Sequence, residues 1–406
     1  MMANAIVIGG GVIGSVAAFR LQERGIATRL IDPDPEWRGA SRGNAGHIAA
    51  DEVHPLASRA TLRGLPRQLF SRGGPVGLPL RDIAHWLPFG LRLIAATRRY
   101  DAGVRALSSL QAEALPAWRR LVAALEKPEL LREAGHFVVW DTPESATAGR
   151  ALLAETDTGS TSWRDATAEE LVQLAGLMNP PGGAVRFEGT GQIVDLGLLA
   201  ETLITRFEAL GGIRVRGTAR IEGDAVRLAT GERLESETIV AAAGPASRKL
   251  LRPLDHKAPL IAERGYHIQC AGAGWPAEMP SILFADRHMF VTRFRSGLRA
   301  TSFVEFGRAA TRPDPRKWRR LRDHVRALGL PFGEPIAEWM GARPTLPDYL
   351  PAIGRSRRMP NLLYAFGHQH LGLTLAAITG EAVAALAAGE APPVDLAPFD
   401  LSRFES

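Results

Sequence analysis

Gly9, Gly11 and Gly14 stand at G-x-G-x-x-G spacing, directly behind the apolar run "AIVIGG" and ahead of the helix-like "VIGSVAAFRLQERG". In such a turn the first glycine permits the tight bend and the second lets backbone N–H groups approach a pyrophosphate. The third lets helix and strand pack closely, and the helix N-terminus adds its positive dipole end. A second strand-like run, "ATRLID", ends on Asp32, where a carboxylate can accept hydrogen bonds from ribose hydroxyls. Strand, helix, strand and terminal aspartate in this order point to a bound dinucleotide.

The motif alone does not separate FAD from NAD. NAD enzymes usually continue with regular βα units, whereas this chain departs after Asp32 into "GASRGNAGHIAADEVHPL" and a helical insert, which favours a flavoprotein. A distant strand-like run, "TIVAAAGPAS", suggests a nucleotide domain assembled from separated segments.

The elements that must hold these residues can be read in outline. A length of 406 residues exceeds one ordinary core, so two domains are expected, and no low-complexity linker divides them. The expected fold class is α/β: a Rossmann-like FAD-binding domain (1–60, 190–255 and 345–406) interleaved with an α+β substrate domain (61–189 and 256–344). "LSSLQAEALPAWRRLVAALEK" reads as a helix, "AGHFVVWDT" as a strand, and "ARIEGDAVRLATGERLESETIVAAAG" as strand-like runs separated by Gly-Asp and Thr-Gly turns. Residues 260–306 alternate apolar with polar residues, the pattern of an antiparallel sheet.

Composition excludes several classes. At 46% apolar and 23% charged the chain reads as globular. It has no uninterrupted apolar stretch of spanning length and no signal-like segment, so the expected compartment is the cytoplasm. One cysteine, Cys270, excludes an intrachain disulfide and any cysteine-only metal site. The net charge of +6 is uneven: nine arginines between Arg59 and Arg105 face only Asp82 and Asp101, interleaved with "IAHWLPFGLRLIAA". That mixture suits either a helical insert with a solvated arginine face or peripheral contact with an anionic membrane. No nucleic-acid module accompanies it, so nucleic acid is not an expected partner.

Taken with "ASRGNAGHI", "ETIVAAAGPAS", "GARPTLPDYLPAIG" and "FGHQHLGLTLAAITG", the chain resembles the FAD-dependent D-amino acid oxidase and dehydrogenase superfamily, most closely the bacterial D-amino acid dehydrogenase branch. The resemblance implies that Gly9, Gly11, Val12, Ile13, Gly14 and Asp32 hold the nucleotide, with Ala219 and Gly244 contributing from the later segments. Ser41, Asn44, Ala45, Gly46 and His47 would pass the pyrophosphate and flavin ring, and Gly367, His368, Leu371, Gly372, Leu373 and Thr374 would reach its pyrimidine end. A helix entered at Leu373 or Thr374 would present its positive end where reduced flavin becomes anionic.

Arg343 matches the superfamily's anchor for the substrate carboxylate, a role suited to a guanidinium fork. The tyrosine that often assists it is missing where His288, Met289 and Phe290 stand, which leaves Tyr266 and Tyr349 as substitutes. His47, His368 and His370 lack partners at metal-ligand spacing, so no metal is expected. Gly341 stands where related sarcosine oxidases carry a cysteine, which argues against a covalent flavin. The implied reaction is hydride removal from the α-carbon of a small neutral or cyclic amino acid, D-hydroxyproline among them, to flavin N5. His368 or His370 could take the substrate's proton. The implied partners are the amino acid and an electron acceptor, oxygen or a membrane quinone or respiratory chain.

Overall fold

A computed structural model describes residues 3–34 and 36–405. Its first large sheet has the strand order 213–216, 27–32, 4–8, 238–241, 362–366 and 352–355, parallel except for the last pair. The run Ala5–Ile8 is apolar and buried throughout, as a parallel strand covered on both faces requires. The helix Val12–Glu23 follows at once, and the helices Leu196–Ala209 and Ala376–Ala387 pack against it. Small residues let the C-terminal helix come close: a Cβ on Gly380 would lie 2.6 Å from Val16 Cγ1. This contact brings the two ends of the chain together.

The second sheet has the order 337–345, 261–270, 297–307, 289–294, 281–284, 136–140, 183–188 and 162–165, with 76–77 added beside 297–307. Its pairings are antiparallel apart from 281–284 with 136–140 and 297–307 with 76–77. The fold is thus α/β with a large, mainly antiparallel second sheet, and the chain passes between the two sheets more than once.

Alternation in residues 260–306 does mark antiparallel strands, but their polar residues do not face solvent. Glu263, Arg264, His267, Thr301 and Glu305 are all buried. Glu263, Arg264 and Glu305 form ion pairs, Thr301 lines a cavity, and His267 contacts the Gly43 carbonyl and stacks on Trp339, so the polar half of the pattern serves an internal surface. One strand carries a bulge: the register shifts between Arg264 and Tyr266, and Phe303 opposite adopts φ +72°. Bulges and left-handed non-glycine residues concentrate where a group must be re-aimed.

The helix read through "LSSLQAEALPAWRRLVAALEK" is two helices, Tyr100–Ala112 and Ala114–Ala124, divided at Glu113. Pro116 lacks the N–H that would bond back to Ala112, which accounts for the break. Cys270 is buried in the core of the second sheet. No described helix is long and apolar enough to cross a membrane.

Candidate functional site

A cavity of about 1710 Å³ runs from the glycine turn to the polar face of the second sheet. At its first end the backbone does most of the work. Gly9 has φ +114°, and a Cβ there would lie 2.4 Å from the Ala242 carbonyl oxygen. A Cβ on Gly14 would lie 1.8 Å from the Gly9 carbonyl oxygen. Gly14 therefore fixes the closeness of helix and turn and does not itself line the cavity, whereas Gly9, Gly11, Val12 and Ile13 do.

Asp32 accepts from the Gly10 N–H at 2.6 Å and from the Asp34 N–H at 2.9 Å, which fixes its carboxylate at the end of the second strand. Ser41 Oγ accepts from the Val12 N–H at 3.0 Å, so the predicted loop is tied to the helix start. Ala219 and Gly244 border the same space, with Lys249 and Arg252, which the sequence did not single out.

Further along, Ala45 and His47 line the cavity, and Asn44 does so while its Oδ1 accepts from the Gly46 N–H at 2.7 Å. Gly46 itself lies behind, at φ +77°, against the Phe294 ring. Arg299 grips this loop by donating to the carbonyls of Arg42 at 3.1 Å and Asn44 at 2.5 Å. Burial lowers its guanidinium pKa to about 10. His47 lies edge-on to His136, with ring centroids 4.7 Å apart, and its Nε2 is 3.8 Å from Asp51. Burial lowers His136 to about 3, so it is neutral near pH 7.

His368, His370, Leu371, Gly372, Leu373 and Thr374 also line the cavity, while Gly367, at φ +82°, packs behind them on Leu346. The expected helix start at Leu373 or Thr374 is corrected: a 3-10 turn spans Gln369–Gly372, and the α-helix begins at Ala376. Long-range hydrogen bonds hold the intervening residues. Trp118 Nε1 donates to the carbonyls of Leu373 at 3.0 Å and Thr374 at 3.1 Å, and Thr374 Oγ1 accepts from the Ala49 N–H at 3.0 Å.

The second sheet contributes charged groups. Arg343 Nη1 donates to Glu263 Oε1 at 3.0 Å, and the fully buried Glu263 also accepts from Thr345 Oγ1 and the Tyr349 hydroxyl, each at 3.1 Å. The guanidinium lies over Gly265, where a Cβ would come within 2.0 Å of Nη2. Burial and then the neighbouring carboxylate push the Tyr349 hydroxyl well above its usual pKa. Tyr349 therefore supports Arg343 through Glu263. Tyr266 is excluded as the helper: its hydroxyl joins a separate buried cluster with Glu305, Arg264 and the Asp314 N–H.

His368 and His370 differ sharply. His368 is buried with Nε2 3.0 Å from Thr379 Oγ1, and burial lowers its pKa to about 3. For His370 burial opposes the charge, but hydrogen-bond contact with Glu52 outweighs it and raises the pKa above the ordinary histidine value. Gly341 lies under the Trp339 ring, where a Cβ would come within 1.8 Å, so a cysteine at this position would displace that ring.

Three buried polar atoms on residues lining the cavity have no protein partner: His47 Nδ1, Thr301 Oγ1 and Gln369 Oε1. Unpaired buried polar atoms are costly, so these positions call for a polar ligand. With the glycine turn, the fixed carboxylate and the cavity's volume, they fit FAD. The family model for FAD dependent oxidoreductases matches residues 4–386.

The chain belongs to this FAD-dependent oxidoreductase family. Among its relatives, the D-amino-acid oxidase of Bradyrhizobium diazoefficiens is 30% identical over 420 residues, covering 99% of each chain. The D-amino acid dehydrogenase 2 of Ralstonia nicotianae is 30% identical over 425 residues, covering 98% of this chain and 99% of the relative. Among solved structures, glycine oxidase from Geobacillus kaustophilus superposes with a TM-score of 0.73 at 19% identity, covering 99% of each chain, and so shows the shared fold. The oxidoreductase is therefore FAD-dependent, and its glycine turn and distant C-terminal loop border one cavity.

Proposed function

We propose that this oxidoreductase oxidises a small D-amino acid, neutral or cyclic, with D-hydroxyproline among its candidate substrates. The observation that carries the reading is the Arg343–Glu263 pair at the cavity wall. Nη1 is committed to Glu263, while Nε and Nη2 have no hydrogen-bond partner among the described residues. A substrate carboxylate can take those two donors, and Glu263 holds the fork in one orientation. The two relatives at 30% identity, both named for D-amino acids, support the stereochemical choice.

Side-chain chemistry at the same end favours an uncharged substrate side chain. Phe290, Phe303 and Leu283 supply apolar wall, while Glu263 and Glu52 are already paired with Arg343 and His370. Bound FAD supplies the acceptor for a hydride leaving the substrate α-carbon. The chain's own part is to orient that carbon by its carboxylate, and to bind the amine without an added strong base. His370, whose pKa the Glu52 carboxylate raises, favours its protonated, donating form more than a free imidazole does; His368, neutral and tied to Thr379, positions the loop.

For reoxidation we propose a quinone of the respiratory chain, and oxygen uptake matching substrate loss would replace it by oxygen. Anaerobic bleaching of the bound flavin with D-, L- and N-alkyl amino acids tests the substrate class. Rapid bleaching by D-proline, D-hydroxyproline or D-alanine is expected; bleaching only by L- or N-methyl compounds would move the activity to another amine class. Bleaching that requires added protein subunits would make the chain part of a larger dehydrogenase.

A further inference from the structure

The helix Ile83–Ala96 buries one side chain, Phe89, which packs on Phe306 with ring centroids 5.6 Å apart. Trp86 and Leu93 are half-buried, and the other large aliphatic residues point outward. Ile83, Leu87, Leu91 and Ile94 are 42%, 47%, 61% and 52% exposed, and Leu80, in the turn just before, is 79% exposed. At about 100° per residue the four on the helix fall within one arc of roughly 80°. Phe89 lies on the far side of the helix from that arc. A globular protein normally turns such a stripe inward, so a continuous outward ridge marks a surface that meets something apolar.

Charge identifies that partner. Arg92 lies on the flank of the helix, about 100° from the edge of that arc, with Arg81 in the turn before the helix and Arg98 and Arg99 in the turn after it, and none of the four forms an ion pair among the described residues. Asp82, the sole carboxylate of residues 80–100, is buried and taken up by Arg308. Five aliphatic side chains, four on the helix and one in the turn before it, also fall short of the roughly 20 residues a side of a stable protein interface. A helix of 14 residues is too short to span a bilayer, but it can lie in the interface plane with its apolar ridge among acyl chains and its arginines at anionic headgroups.

We propose that Leu80, Ile83, Leu87, Leu91 and Ile94, flanked by these arginines, dock the protein on the surface of an anionic lipid bilayer. This inference stands apart from the substrate reading and from the acceptor, since a protein that docks and then reduces oxygen would still satisfy it. Its test is flotation of the holoenzyme with phosphatidylcholine vesicles prepared with and without phosphatidylglycerol.

The wild-type protein should float with the phosphatidylglycerol vesicles. The triple variant Leu87→Ser/Leu91→Ser/Ile94→Ser should lose that binding by about tenfold or more. The variant Arg92→Gln/Arg98→Gln/Arg99→Gln should lose about a hundredfold in preference for the anionic vesicles. Flavin absorbance and activity with a soluble dye acceptor should match wild type in both variants, which separates docking from misfolding and from the catalytic reading. Failure of the wild type to float, or undiminished binding by the serine variant, would overturn the proposal. So would a wild-type dimer, seen by light scattering without lipid, that the serine substitutions abolish, because the ridge would then be a self-association surface.

Discussion

The two ends of the cavity are built by different means. At the nucleotide end, contacts come mainly from the backbone of the glycine turn: Gly9 against the Ala242 carbonyl, Gly14 against Gly9, the Gly10 N–H on Asp32 and the Val12 N–H on Ser41. At the reaction end they come from side chains far apart in sequence, such as Arg343 with Glu263 and His370 with Glu52, separated by 80 and 318 positions. The first end should fail through steric exclusion and the second through loss of charge balance.

The largest expected effect is at Gly14. A Gly14→Val substitution places Cβ 1.8 Å from the Gly9 carbonyl oxygen. The ratio of flavin to protein absorbance in the purified variant should fall close to zero. Full flavin content would show that the close packing of helix and turn is dispensable.

Arg343→Met comes next and should act on stability as well as turnover, because Glu263 would be left buried without its cation. Removing one partner of a buried pair costs about 3–5 kcal/mol, measurable by denaturant unfolding of the holoenzyme. An unchanged midpoint would mean that Thr345 and Tyr349 satisfy Glu263 alone. Arg343→Lys keeps a charge but loses the fork, so KM for the amino acid should rise about tenfold or more with FAD content retained.

The Glu52–His370 contact sharpens the comparison through pH. The folded His370 pKa is raised, so the pair stabilises the protein fully below the ordinary histidine pKa and that contribution fades as pH rises through the raised value. Glu52→Gln should move this loss to lower pH, read as a shift in the alkaline limb of a stability profile. An unmoved limb would remove Glu52 as the cause. Ser41→Ala should give the smallest effect, about 1 kcal/mol, because it removes one hydrogen bond from the first turn of a helix.

The same contrast explains what could be read in the sequence. The glycine turn and Asp32 were legible because they sit in one strand–helix–strand run, and the strand and helix runs gave the α/β class, whereas the "SRGNAGHI" loop came from resemblance. Arg343 and the histidines came from resemblance, but their partners did not, since no local pattern announces that Glu263, 80 residues earlier in the chain, will stand directly opposite residue 343 on the neighbouring strand. Alternation in residues 260–306 marked the strands correctly yet concealed that their polar face is internal. The helix start near residue 374 was misplaced because Trp118 and Ala49, remote in sequence, hold that loop in its final turn.

The central claim is that Arg343 tethers a substrate by its carboxylate beside the flavin. It is tested most directly by anaerobic bleaching of wild type and Arg343→Lys, each with a reactive D-amino acid and with the amine that lacks its carboxyl group. Wild type should bleach with the amino acid at least about a hundredfold faster than with the amine, and the lysine variant should lose most of that preference while remaining yellow. Equal preference in both proteins would contradict the account.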